Sequence, residues 1–177
     1  MSGPKAVTTV SRPDLLDRDG GDGTFRGVVY DLLAVGARMQ AVRDHLAAAM
    51  GVTGPQYAIL MAIFHLQEEP EGPGVRAVAR QLHVSGPFVT AQANRLVGAG
   101  LVEKRPNPKD KRGVWLWLTA EGARRVSRAA PDIQAANDAF FASLSRVDFL
   151  VLGDIAARLE KSSARAVAAL SEDAKKE

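Results

Sequence analysis

Apolar residues recur along this chain with two periods, and each change of period marks an element. Over residues 25–50, Val29, Leu32, Leu33, Gly36, Met39, Leu46 and Met50 form a stripe at helical spacing. Thr53-Gly-Pro-Gln56 then reads as a helix start: Thr53 caps, Gln56 reaches back to complete a capping box, and Pro55 lies in the tolerant first turn. This second helix runs through Tyr57 and Phe64 and ends in the loop 67–74, where Pro70, Gly72, Pro73 and Gly74 forbid more helix. Two short helical patterns follow, Val75–Leu82 and 87–97, joined by the tight connection His83-Val84-Ser85-Gly86. The period then drops to two in 101–105 and Val114–Leu118, and Val114, Leu116 and Leu118 alternate with Trp115 and Trp117. Between these strands lies a turn of Pro106, Asn107, Pro108 and Gly113.

The helix of 87–97 has local causes at both ends and two distinct faces. Ser85 is a good N-cap, because its hydroxyl can accept from an amide of the next turn, and Pro87 sits where a missing N–H costs little. Val89, Ala93, Leu96 and Val97 should face inward, leaving Gly86, Pro87, Thr90, Ala91 and Asn94 outward, small or polar and able to approach a groove. Gly98 or Gly100 can take the left-handed conformation that ends helices. Two short helices across a tight turn, followed by a hairpin, form the arrangement that lays a helix in the DNA major groove.

Further along, Thr119 caps a long helix with Glu121 near its positive end. Pro131 predicts a kink or break near 129–132. The pattern resumes over 133–144, with Phe140 and Phe141 as its bulk. Ser145-Arg-Val-Asp148 opens a last helix to about residue 170, in which Leu152, Ile155, Leu159, Ser162 and Ala166 repeat at alternating spacings of three and four. Such a seam needs a partner, and pairing two copies would bury it and present two recognition helices about a two-fold axis. Folding back on the central domain is the alternative.

The predicted architecture is therefore mainly α: a winged helix-turn-helix with a small β-hairpin wing, plus N- and C-terminal dimerisation helices. Its expected parts are a flexible arm over 1–24, with a short turn around Pro13, helical dimerisation regions over 25–50 and 120–170, the DNA-binding domain over 51–119, and a frayed tail over 171–177. The glycines at 20, 21 and 23 read as linker, since no strand precedes them and no Gly-Lys-Ser/Thr follows.

Composition narrows the function. In 177 residues, 46% apolar, no apolar run approaches the ~18 residues of a membrane span. The N-terminus lacks the apolar core of a signal peptide, so the cytoplasm is the expected compartment. Zero cysteines remove disulfides, thiolate metal sites and cysteine-based oxidant sensing. Net charge is only +3, but between Arg80 and Arg112 seven bases (Arg80, Arg95, Lys104, Arg105, Lys109, Lys111, Arg112) face two acids, a local +5 in 33 residues. A basic patch on a hairpin and its neighbouring helix is the footprint expected for phosphate binding.

The residues also resemble a known family. Gly51-Val-Thr-Gly-Pro-Gln56, Val84-Ser85 before Val89-Thr90, Asn94-Arg-Leu96, Gly100-Leu-Val102, Asn107-Pro-Lys-Asp-Lys-Arg112 and Leu118-Thr-Ala-Glu-Gly122 are similar to the marks of the MarR family of bacterial transcriptional regulators, over nearly all of residues 25–170. The resemblance implies an all-α dimer with a small wing, which binds a palindromic operator and is usually a repressor released by a small ligand. It implies that Arg112 at the wing tip enters the minor groove, beside Lys109 and Lys111. It implies too that Asp110 pairs with Arg95, and that Thr90 and Asn94 face base edges or phosphates. The chain departs from the pattern at Gly86, Pro87 and Ala91, where long polar side chains are common, and at Phe88, where a small hydroxyl residue is usual. Reading guanine by a bidentate arginine is then unavailable from those positions, which puts more weight on Thr90, Asn94, thymine-methyl contacts and DNA shape.

By the same resemblance an effector pocket lies where the first, second and fifth helices meet, with Tyr30, Met39, Met61, Phe64 and His65 suited to an aromatic ligand and Arg38 or Arg43 available for a carboxylate. His45, His65 and His83 lie on separate segments with no converging ligands, so no metal and no cofactor is expected. His83, in the turn, is placed to meet a phosphate. A second reading makes the domain a protein–protein module that docks through exposed Trp115 and Trp117, without sequence-specific DNA binding. An enzyme is not expected, because a nucleophile elbow, a phosphate loop and paired acids are all missing.

Overall fold

The computed structural model describes residues 7–68, 71–108, 110 and 113–173. The expected contributions of Pro70, Lys109, Lys111, Arg112 and the last four residues lie outside that set. The described elements are a 3-10 turn at Pro13–Leu15, α1 (Gly23–Ala49), α2 (Gly54–Leu66), α3 (Val75–Leu82), α4 (Gly86–Gly98), β1 (Val102–Pro106), β2 (Val114–Leu118), α5 (Ala120–Phe140) and α6 (Arg146–Asp173). The chain divides into two compact units, residues 1–133 and 134–177.

In the first unit the core collects around α2, which packs against α1, α3, α4 and β2. Ile59, Leu60 and Ile63 of α2, Val78 of α3, Val89 and Leu96 of α4, and Leu101 and Leu116 of the hairpin are fully buried. Each such side chain stabilises the fold by about 1.5–3 kcal/mol. β1 and β2 pair antiparallel, with Val102 opposite Leu118 and Arg105 opposite Trp115. The capping box of α2 forms as its sequence implies, the Thr53 amide donating to Gln56 Oε1 at 3.0 Å. Among the described residues no single helix is long and apolar enough to cross a membrane.

One glycine makes the junction of hairpin and α5 possible. Leu101, fully buried, donates its amide to Leu96 O (3.0 Å) and accepts at its carbonyl from the Thr119 amide (3.1 Å). Thr119 Oγ1 donates to Gly100 O and accepts from the Gly122 amide, so the helix cap is also the clasp of the wing. A Cβ at Gly122 would fall well inside contact distance of the Leu101 carbonyl. The Leu-Thr-x-x-Gly spacing thus records a close backbone crossing.

Several expectations change. Residues 7–22 are not a loose arm: the Thr9 amide and hydroxyl both donate to Asp22 Oδ2 (2.6 and 2.7 Å), and Arg26 pairs with Asp22 Oδ1 at 2.6 Å. Asp22 is the one buried charged side chain among the described residues, and the Thr9 hydrogen bonds, ahead of the charge of Arg26, hold its carboxyl below the usual range. α5 runs unbroken through Pro131. A proline costs ~3 kcal/mol in a helix interior, and the other hydrogen bonds of this 21-residue helix carry it across the gap. Val97, expected to face inward, is 38% exposed, because it follows the buried Leu96 by one residue, about 100° further round the helix and off the buried face. The tail is helical as far as Asp173.

The tryptophans give a further correction. Trp117 is only 4% exposed and Trp115 is half-buried, so the exposed docking pair of the second reading does not exist. Strict alternation assumes one wet face, but Gln67, Pro73 and Gly74 lie along β2. The Leu116 amide donates to Pro73 O (2.9 Å) and the Leu118 amide to Gln67 Oε1 (3.1 Å). Gly72 lies against Trp117, where a Cβ would clash with the indole, and the Arg105 guanidinium stacks 4.4 Å from the ring centroid.

In the second unit, Phe141 sits edge-on to both Phe140 and Phe149, at 5.1 and 5.4 Å between centroids. Ser145 caps α6 reciprocally with Asp148, the Ser145 amide donating to Oδ2 at 3.0 Å and the Asp148 amide to Oγ at 3.2 Å.

Candidate nucleic-acid interface

The helix pair is built by short-range chemistry. α3 ends at His83, which adopts the left-handed conformation (φ 53°, ψ 42°) usually left to glycine. The Val84 amide then donates back to Ala79 O at 3.1 Å, closing the turn. Ser85 Oγ accepts from the Phe88 amide at 3.3 Å, and Pro87 occupies the first turn of α4. The helix stops at Gly98, and Gly100 (φ +70°) redirects the chain into β1.

α4 has the two faces that its sequence predicts. Val89, Ala93 and Leu96 are buried, while Ser85, Pro87, Thr90, Ala91, Asn94 and Arg95 are exposed and Gly86 is half-buried. The hairpin lies alongside, and Lys104 of β1 donates its ammonium to Asn94 Oδ1. Along the sequence Lys104 is one base among seven; here it ties the exposed face of α4 to the wing. The signal was cross-element pairing, which spacing along one segment does not carry. Asp110 is exposed in the turn between the strands, its amide donating to Asn107 O (3.2 Å) and its carbonyl accepting from the Gly113 amide (2.9 Å). Arg95 is exposed in the last turn of α4, and Asp110 lies beyond the end of β1.

Tyr30 (66% exposed), Met39, Phe64 and His65 lie on the surface, with Met61 half-buried and Phe64 edge-on to His65 at 5.2 Å. The reason is that most of α1 projects past the core, which it meets mainly through Leu46, Ala47 and Met50. A groove of about 360 Å³ lies lower, where Gln40 and Arg43 of α1 face Pro55, Ala58, Leu82 and Phe88.

A helix pair with a polar outer face, capped at its turn and flanked by a cationic hairpin, is the DNA-binding class of winged helix-turn-helix. Residues 50–113 match the model of the MarR family. Over 96 residues the chain is 34% identical to the transcriptional regulator HosA of Escherichia coli O111:H-, a stretch covering 53% of this chain and 67% of that protein. Among solved structures, the PcaV transcriptional regulator from Streptomyces coelicolor, in complex with its natural ligand, is 29% identical with a TM-score of 0.58, over 72% of this chain and 90% of that one. The S. aureus MepR–DNA complex shares the fold at 18% identity, with a TM-score of 0.66 over 76% and 94% of the two chains. The chain belongs to the MarR family and is a transcriptional regulator of that family.

Proposed function

We propose that this regulator is a cytoplasmic homodimer that binds a palindromic operator and represses until a small ligand, aromatic in character, releases it. The observation that carries the proposal is the outward face of α4. Thr90, Ala91, Asn94 and Arg95 are exposed on a helix whose opposite face is locked into the core. That face enters the major groove, with Ser85, Gly86 and Pro87 at the phosphate ridge and Thr90 and Asn94 toward base edges. The wing residues Lys109, Asp110, Lys111 and Arg112 follow the backbone, Arg112 reaching the minor groove. Exposed apolar side chains on α1 and α6, among them Leu32, Leu33, Leu150 and Leu159, favour pairing with a second copy. A ligand site at Tyr30, Met39, Met61, Phe64 and His65 is then completed by that copy. PcaV, solved with its natural ligand, supports the ligand-responsive part by analogy.

Gel shifts with the DNA upstream of its own gene test the reading. Two protected half-sites are expected, centred one helical turn (~34 Å) apart. Arg112→Ala should weaken operator binding by ~1–3 kcal/mol, the scale of one specific groove contact. Unchanged affinity would remove the wing from the account.

A further inference from the structure

Asn94 is the one exposed amide side chain of α4, and its carbonyl oxygen is already engaged. Lys104 of β1 donates its ammonium to Asn94 Oδ1 at 2.5 Å. A lysine can only donate, so the chemistry fixes which end of the amide is turned to the strand. We propose that Lys104 is a positioning residue for base readout: by holding Asn94 Oδ1 it leaves Asn94 only donors to offer the major groove, and so selects guanine over adenine at the base pair that Asn94 meets. The inference rests on the DNA-binding reading above and deepens it, by naming the base edge that this helix face fits.

Two observations carry it. The first is the register of the hairpin. Lys104 lies opposite Leu116, on the face that reaches α4, whereas Arg105 leaves the other face, where it pairs with Glu103 and stacks on Trp117. The second is a shortage of acceptors on α4. Ser85 Oγ accepts from the Phe88 amide at 3.3 Å, and Gln92 Oε1 is buried. From Gly72 to Val102 the sequence contains no Asp or Glu. With Asn94 Oδ1 held, the face is left with the Asn94 Nδ2 hydrogens and, four residues earlier, the Thr90 hydroxyl.

The base edges decide what such a face can meet. In the major groove guanine shows two neighbouring acceptors, N7 and O6, while adenine shows the N7 acceptor beside the N6 amino donor. Bidentate reading of adenine therefore needs the amide oxygen to accept from N6. Here an ammonium sits on that oxygen. A carbonyl keeps a second lone pair, but the positive charge beside it opposes a second donor. Guanine meets no such opposition: it can accept from Nδ2 and from the hydrogens that the Lys104 ammonium has left.

The test is fluorescence anisotropy on the full chain with its own upstream duplex, each base pair of both half-sites replaced in turn by its transition, G·C for A·T and the reverse. The pair that Asn94 meets is the one whose replacement no longer matters in Asn94→Ala. In wild type that pair should be G·C, and A·T there should weaken binding about tenfold or more, the scale of one specific base contact. Lys104→Met removes the donor and keeps the stem; it should move the preference at that pair to adenine and leave the other positions unchanged. Lys104→Arg, which keeps a donor beside Asn94, should keep guanine. An A·T pair at the Asn94-dependent position in wild type overturns the assignment, as does an Asn94→Ala variant whose preferences all match wild type's. So does a Lys104→Met variant that still prefers guanine and binds every duplex more weakly by one factor, the mark of a phosphate contact, or a switch to adenine in Lys104→Arg as well. Wild type binding its own and a shuffled duplex equally would instead sink the DNA-binding reading itself.

Discussion

The winged unit and α6 are both rich in apolar residues, and they use them in opposite ways. In the first, Leu60, Ile63, Val89, Leu96 and Leu116 are sealed from solvent by neighbours in the same chain. In α6, 28 residues long, none of the described side chains is buried, and Phe149, Leu150, Leu152, Ile155, Leu159 and Leu170 are all exposed. Apolar periodicity alone does not separate a core from an interface; the supply of partners within one chain does. A long helix draws most of its stability from packing an apolar face, which is why we propose that α6 is completed by a second copy.

Substitutions can break that contrast. Leu60→Ala, in the sealed core, should cost ~2–5 kcal/mol in urea unfolding. Leu159→Ala should leave the melt of the winged unit in place and weaken dimer formation by about tenfold, as read by sedimentation equilibrium. Equal effects of the two on unfolding would erase the distinction. Gly122→Ala should destabilise by ~1–3 kcal/mol, because the added methyl meets the Leu101 carbonyl, which cannot move without opening the hairpin. A neutral Gly122→Ala would mean that α5 can slide. Ser85→Ala removes the α4 cap and should cost ~1 kcal/mol, with a visible loss of DNA affinity.

The smallest effect is a pH dependence at the N-terminal clasp. The Asp22 carboxyl titrates below its ordinary value because Thr9 donates to it twice and Arg26 lies beside it. A group with a lowered folded pKa contributes stability above about pH 4, and that contribution fades as pH falls through the folded value. Asp22→Asn should therefore lower Tm slightly at neutral pH and reduce the drop in Tm between pH 5 and pH 3. A drop as large as wild type's would show that other carboxyls dominate there.

Sequence was most legible where one segment contains its own cause. The caps Ser85, Thr53 with Gln56, and Ser145 with Asp148 all formed, as did the stop at Gly98 and the inward set of Val89, Ala93 and Leu96. It was least legible where the cause lies elsewhere in the chain. Trp117 alternates like a surface residue but is covered by a loop that ends more than forty residues earlier, at Gly74. Asp22 reads as linker until Thr9 closes on it, and Lys104 has no visible task until Asn94 is brought beside it. Pro131 argued for a kink or break by a local rule; the helix is not broken there.

The central claim is that the exposed face of α4 and the wing read a particular DNA sequence as a pair. It is tested most directly by competing the chain's own upstream duplex against the same bases shuffled, at fixed salt, with wild type and Asn94→Ala. The account predicts a wild-type preference of about 10³-fold or more for its own site, and a loss of most of that preference in Asn94→Ala while non-specific binding survives. Equal affinity of wild type for both duplexes would contradict it.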